Sequence, residues 1–134
     1  MDLDLVDMIE AIRPRAVMVV KVNGRIFYAH IEDNPSAKAL TEKLNSAGVT
    51  VDMRDCGFGK VGSLPWELPR NGKRIAARPG DLVLCEDGGL ALYYDGADAD
   101  CTRLARLGKE TKEEILAALG EGDVSVTLYL EWSE

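Results

Sequence analysis

A single histidine, His30, occurs in the 134-residue sequence, and that scarcity removes several chemistries at once. A zinc site needs histidine, cysteine or carboxylate partners grouped around the metal, and none is spaced for it near His30. The residue is either a solvated strand-end side chain or an acid/base group that its pKa would suit. Cysteine is also sparse: Cys56, Cys85 and Cys101 form neither a C-x-x-C pair nor an even set. They read as reduced thiols of a structural kind, none with a histidine partner in sequence. A nucleophile-elbow serine motif is missing as well.

Positive charge is in deficit, with 16 Lys and Arg against 23 Asp and Glu and a net charge of -7. Counterion release from a phosphate backbone therefore offers no driving force, which excludes nucleic acid and anionic membrane surfaces as partners. No apolar run approaches the roughly 20 residues that span a bilayer. The first thirteen residues place Asp2, Asp4, Asp7 and Glu10 against Arg13, the reverse of a basic secretory n-region, so the expected compartment is cytoplasmic.

Enough remains for an ordinary fold. Hydrophobic residues at 46% and charged residues at 29% make a globular balance, and this length hides roughly two thirds of the unfolded surface in one domain. Neither a disulfide, a metal nor a cofactor is needed for folding. The expected organisation is an amphipathic helix or arm over residues 1–15, with Leu5, Ile9 and Ile12 on one face, followed by a domain over 16–134.

Within that domain, Asn23-Gly24 separates two β-branched runs and predicts a hairpin through a type I′ turn. Asn34-Pro35 opens a helix whose apolar residues Ala37, Leu40, Leu44 and Ala47 recur at helical spacing up to Gly48. Val49, Val51 and Met53 alternate with polar residues as a half-buried strand. Leu82 to Cys85 and Leu90 to Tyr94 predict a second hairpin about Gly88-Gly89, Asp95 to Asp100 a polar connection, and Thr111 to Gly120 a capped helix before a last strand at Val124 to Leu130. Six or seven strands with two or three short helices and no βαβ alternation predict a mainly β chain forming a closed antiparallel barrel.

The glycine-rich run from Cys56 to Pro69 invites a misreading. Gly57, Gly59 and Gly62 spell G-x-G-x-x-G, but a dinucleotide loop must open into a helix, and Pro65 and Pro69 bar that geometry. An ordered loop with an aromatic anchor is the expectation.

Four segments carry a resemblance. Gly-Phe-Gly-Lys-Val-Gly-Ser-Leu-Pro-Trp-Glu-Leu-Pro at 57–69, Pro-Gly-Asp-Leu-Val-Leu at 79–84, Leu-Ala-Leu-Tyr-Tyr at 90–94 and Thr-Arg-Leu-Ala-Arg-Leu-Gly-Lys at 102–109 resemble the cyclophilin-like family of small prokaryotic proteins. The resemblance covers roughly residues 16–131 and implies a cyclophilin-type β-barrel without an assigned biochemical role. This chain departs from it at Gly59, where relatives usually carry an acid, and at Tyr94-Asp95-Gly96-Ala97-Asp98. The Phe-His-Arg strand signature of true prolyl isomerases is absent, so no catalytic residue is assigned.

The candidate ligand-binding residues are Arg54, Phe58, Lys60, Trp66, Arg70 and Tyr94. Phe58, Trp66 and Tyr94 would form an aromatic wall or pin the loop to the barrel. Lys60 and Arg70 would make the cleft mouth cationic or remain solvated. Arg54 would polarise a prolyl amide or stand as a solvated strand-end charge. Asp95, Asp98 and Asp100 miss the calcium-loop pattern, so no metal is expected. The expected function is a non-catalytic module binding a peptide or small ligand beside the 57–69 loop. A divergent peptidyl-prolyl isomerase is the alternative, and docking of the 2–13 arm on another chain is a third reading.

Overall fold

The computed structural model describes residues 15–70, 72–108 and 110–133, so the expected helix at 2–13 lies outside the described residues. The first hairpin joins β1 (Arg15–Val22) to β2 (Arg25–Ile31). Its turn is of the expected chemistry: Asn23 and Gly24 take φ of 50° and 78°, the left-handed pair that matches strand twist. Asn34 caps α1 (Pro35–Ser46) by accepting from the Ala37 N–H at 2.8 Å, with proline in the first turn where no N–H is missed.

Next come β3 (Val49–Asp55), β4 (Gly59–Gly62), β5 (Lys73–Ala77), β6 (Asp81–Cys85), β7 (Leu90–Tyr93) and β8 (Ala97–Leu107). The capping box of Thr111 and Glu114 starts α2 (Lys112–Leu119), and β9 (Val124–Ser133) follows.

All strand pairings are antiparallel, in the order β2-β1-β9-β3-β4-β7-β6-β8-β5, and a further β2–β8 pairing brings the sheet back onto itself. The described residues are thus mainly β with two helices, and eight of the strands form a ring. One long strand makes this possible. β8 pairs with β6 along one edge, while its other edge is shared between β5 (residues 97–101) and β2 (residues 105–107). Between the two, Glu32 N–H and the Asn34 side-chain amide donate to the carbonyls of Leu104 and Arg103, so those acceptors are satisfied by the approach to α1.

Three expectations need correction. Nine strands, not six or seven, occupy the described residues. Residues 59–62 are strand β4, not loop, pairing with β3 and β7 at once. Asp95 to Asp100 is not wholly a connection, because β8 begins at Ala97, where Asp98 and Asp100 point to solvent and Ala97 and Ala99 pack inward. β5, absent from the expectation altogether, is a short edge strand with exposed Lys73 and Arg74, and so has little hydrophobic pattern to announce it.

The core has two compartments. Met18, Val20, Phe27, Met53, Leu82, Leu84, Leu90, Leu92, Val126 and Leu128 face the interior together with Leu40 and Leu44 of α1 and Ile115 and Leu119 of α2. On the opposite face of β6 and β7, Val83, Ala91 and Tyr93 join Ala77 and Cys101 in a second cluster. β6 and β7 are therefore buried on both faces, which is why they read as continuous apolar runs rather than as alternating ones.

Candidate functional site

A cleft of about 450 Å³ opens between the segment Ser63 to Arg70 and the β6–β7 hairpin, with Arg54 and Val61 at its base. Three ties fix the segment, although it carries no regular structure. Leu68 is buried in the interior core, the Ser36 hydroxyl at the start of α1 donates to the Pro69 carbonyl, and Arg70 Nη1 donates to the Glu86 carbonyl at 2.6 Å. The two prolines flanking Trp66 restrict the backbone between these ties. Trp66 is half-buried, packs against the interior core and lines the cleft, so it serves both as anchor and as wall.

The opposite wall is the turn of the hairpin. Gly88 sits at φ 90°, where a side chain would be strained, and Asp87 accepts from the Gly89 N–H at 2.8 Å to hold the turn. Cleft charge is balanced, with Arg54 and Arg70 set against Glu67 and Asp87. Among the described residues the Arg54 guanidinium has no hydrogen-bond or ion-pair partner, whereas Arg70 donates to the Glu86 carbonyl.

The six candidate residues divide between two places. Arg54, Trp66 and Arg70 line the cleft, and Phe58, Lys60 and Tyr94 do not. Lys60 shares the inner sheet face with its strand partners Asp55 and Leu92, and its side chain is only 1% exposed. Its ammonium donates to the Gly122 carbonyl at 2.6 Å and lies 3.4 Å from Asp55. Lys60 therefore adds no charge to the cleft, where Arg54 and Arg70 are balanced by Glu67 and Asp87. Phe58 packs on Tyr93 with ring centroids 4.8 Å apart, pinning the turn before β4 to the second cluster.

Tyr94 donates its hydroxyl to Asp55 at 2.8 Å. This bond is the main reason the Asp55 carboxyl titrates below the usual range, with the Lys60 charge adding to it. The same bond raises the Tyr94 phenol. Tyr94, Asp55, Lys60 and Gly122 therefore form one polar chain linking the segment just after β7, β3, β4 and the turn before β9.

Sequence reasoning missed Asp81. Read as part of a turn, it is fully buried and accepts from Arg103 Nε and Arg106 Nε, each at 3.1 Å, and from the Arg78 N–H at 3.0 Å. The signal was present in Arg103 and Arg106 three positions apart, but only the β6–β8 register brings them to Asp81. Gly59 is explained too: a Cβ there would lie 2.6 Å from the Leu92 carbonyl oxygen, so no side chain fits on this backbone. Asp95 pairs with Lys112 at 3.1 Å and Asp100 with Arg74 at 3.7 Å. Among the described residues no three His, Cys, Asp or Glu side chains are grouped to hold a metal, and no helix is long and apolar enough to cross a membrane.

Comparison with known proteins adds one finding. A family model described as the cyclophilin-like family matches residues 20–129, an interval that includes both walls of the cleft. Neither the curated proteins nor the solved structures gave a match.

Proposed function

The chain belongs to the cyclophilin-like family, and on that footing we propose that it is a non-catalytic binding module whose cleft holds a short peptide or small ligand. The observation that carries this reading is the company kept by Arg54. A guanidinium with no partner among the described residues borders the same cleft as the half-buried Trp66 and Leu64. The volume falls in the range of about 300–1,000 Å³ typical of ligand sites. An apolar group would rest on Trp66 and Leu64 while a carboxylate or carbonyl met Arg54. Balanced charge in the walls favours a peptide over a polyanion.

The test is a thermal-shift screen with a panel of proline-containing and other short peptides, followed by titration of any hit. Arg54→Ala is expected to weaken binding by roughly 1.5–3 kcal/mol, the worth of a hydrogen bond to a charged group. Trp66→Ala is expected to cost roughly 2 kcal/mol as a loss of aromatic contact. Binding that ignores both substitutions, or the absence of any hit, removes the reading.

A second reading, a divergent prolyl isomerase, is favoured by the same free guanidinium beside an apolar wall. The uncatalysed barrier is about 18–20 kcal/mol, so selective stabilisation of the twisted amide by a few kcal/mol would be measurable. Acceleration in a protease-coupled assay that Arg54→Ala abolishes would move the protein to this class.

A further inference from the structure

The second core cluster contains two of the three thiols, and they face each other. The β6–β8 register sets Cys85 opposite Cys101, so both side chains emerge on the same face of the sheet. The kind of pair follows from the hairpin. Cys85 N–H donates to the Gly89 carbonyl at 2.8 Å, and the Cys85 carbonyl accepts from Gly88 N–H at 2.9 Å. Both backbone groups of Cys85 thus point towards β7, away from β8. Cys85 and Cys101 therefore form a non-hydrogen-bonded antiparallel pair, the closer of the two classes, in which Cα atoms typically stand about 4.5 Å apart. Disulfides take Cα separations of about 4.4–6.8 Å, so the strands need no rearrangement of register to be bridged.

We propose that Cys85 and Cys101 are a thiol-oxidation site, closing to a reversible cross-strand disulfide when the protein meets a low-molecular-weight disulfide, RSSR. Cys85 lines the cleft and is half-buried, whereas Cys101 is buried, so Cys85 meets the oxidant first. Its thiolate attacks one sulfur of RSSR, the S–S bond of RSSR breaks, and the second sulfur leaves as RS⁻, which takes up the proton Cys85 gave away. Cys101 then attacks the Cys85 sulfur of the mixed disulfide and expels the second RS⁻, which takes up the Cys101 proton. Two protein thiols are oxidised to one S–S bond, and one RSSR is reduced to two RSH.

Burial pushes the Cys85 thiol up to about 11 and raises Cys101, so the thiolate is scarce near neutrality. Closure is therefore slow at neutral pH and accelerates as pH rises. Cys56 behaves differently. It is exposed, its Sγ donates to the Gly59 carbonyl at 3.2 Å, and no thiol stands opposite it in the strand pairings. It would stop at the mixed disulfide.

The site stands independently of the ligand reading, and its test needs no ligand. The unaltered protein is incubated with oxidised glutathione at neutral and at mildly alkaline pH, then analysed by intact mass and by non-reducing peptide mapping. The expected product has Cys85 joined to Cys101 within one chain, a mass loss of about 2 Da apart from any glutathione carried on Cys56, faster formation at the higher pH, and full reversal by dithiothreitol. A lasting glutathione adduct on Cys85, a bridge that includes Cys56, a bridge between chains, or two unreacted thiols at 85 and 101 would each overturn the proposal.

Discussion

At the scale of single residues, Tyr94 is the one whose chemistry is most readily isolated. Its hydroxyl holds the Asp55 carboxyl below the usual value, so Asp55 binds fewer protons in the folded chain than in the unfolded one. That contribution to stability is present above about pH 4 and disappears as pH falls through the depressed pKa. The phenol behaves in the opposite sense. Raised by the same bond, it contributes below about pH 10 and loses that contribution as pH climbs through its folded value. Tyr94→Phe should move the Asp55 titration upwards, towards an ordinary carboxyl, in a carboxyl-detected NMR titration. An unmoved Asp55 would assign the shift to Lys60 instead, whose ammonium approaches the same carboxylate.

At the scale of elements, the β1–β2 turn does more than reverse the chain. Asn23 takes a positive φ, and its side-chain amide also donates to the Ala118 carbonyl at 2.7 Å, satisfying an acceptor in the last turn of α2. The two roles can be separated by substitution. Asn23→Gly keeps the turn geometry and loses the helix contact, an expected cost of about 1 kcal/mol. Asn23→Ala loses the contact and adds left-handed strain of about 1–2 kcal/mol, so its urea midpoint should fall further than that of the glycine variant. Equal midpoints would show that one of the two roles carries no weight.

The same turn marks where sequence was informative. Asn23-Gly24, Asn34-Pro35 and the Thr111/Glu114 pair each use local chemistry that specifies a boundary without help from the rest of the chain, and the hairpin and both helices appear where that chemistry puts them. The missed strands lack such signals. β4 is four residues long with a glycine at each end, and β5 has exposed Lys73, Arg74 and Ala76 along it. The site was legible on one side only. Trp66 and Arg70 stood out in the proline-flanked segment, but the facing hairpin, the Asp81 ion cluster and the Cys85–Cys101 opposition all depend on register between distant strands. Periodicity within a segment fixes which face is buried, but not which distant strand it meets or at which residue.

At the scale of the whole molecule, the ring makes protection uneven. β9 is paired on both sides, with β1 and β3, whereas β5 is paired only with β8. Native-state hydrogen exchange should therefore find β5 amides opening well before those of β9, through local rather than global unfolding. Equal protection would mean that β5 and the ring open as one unit. Among the described residues, free strand borders include the far side of β5 and the Arg25 to Tyr28 stretch of β2, which pairs with β1 alone. Each carries exposed cations, Lys73 and Arg74 on the first and Arg25 on the second, in a chain whose overall charge is -7. Charged side chains on a strand border hinder sheet extension by a second copy, because they must be stripped of water before any backbone pairing is gained. On β2 the same border exposes Ile26 and Tyr28, so Arg25 is the charge that there opposes sheet extension by a second copy.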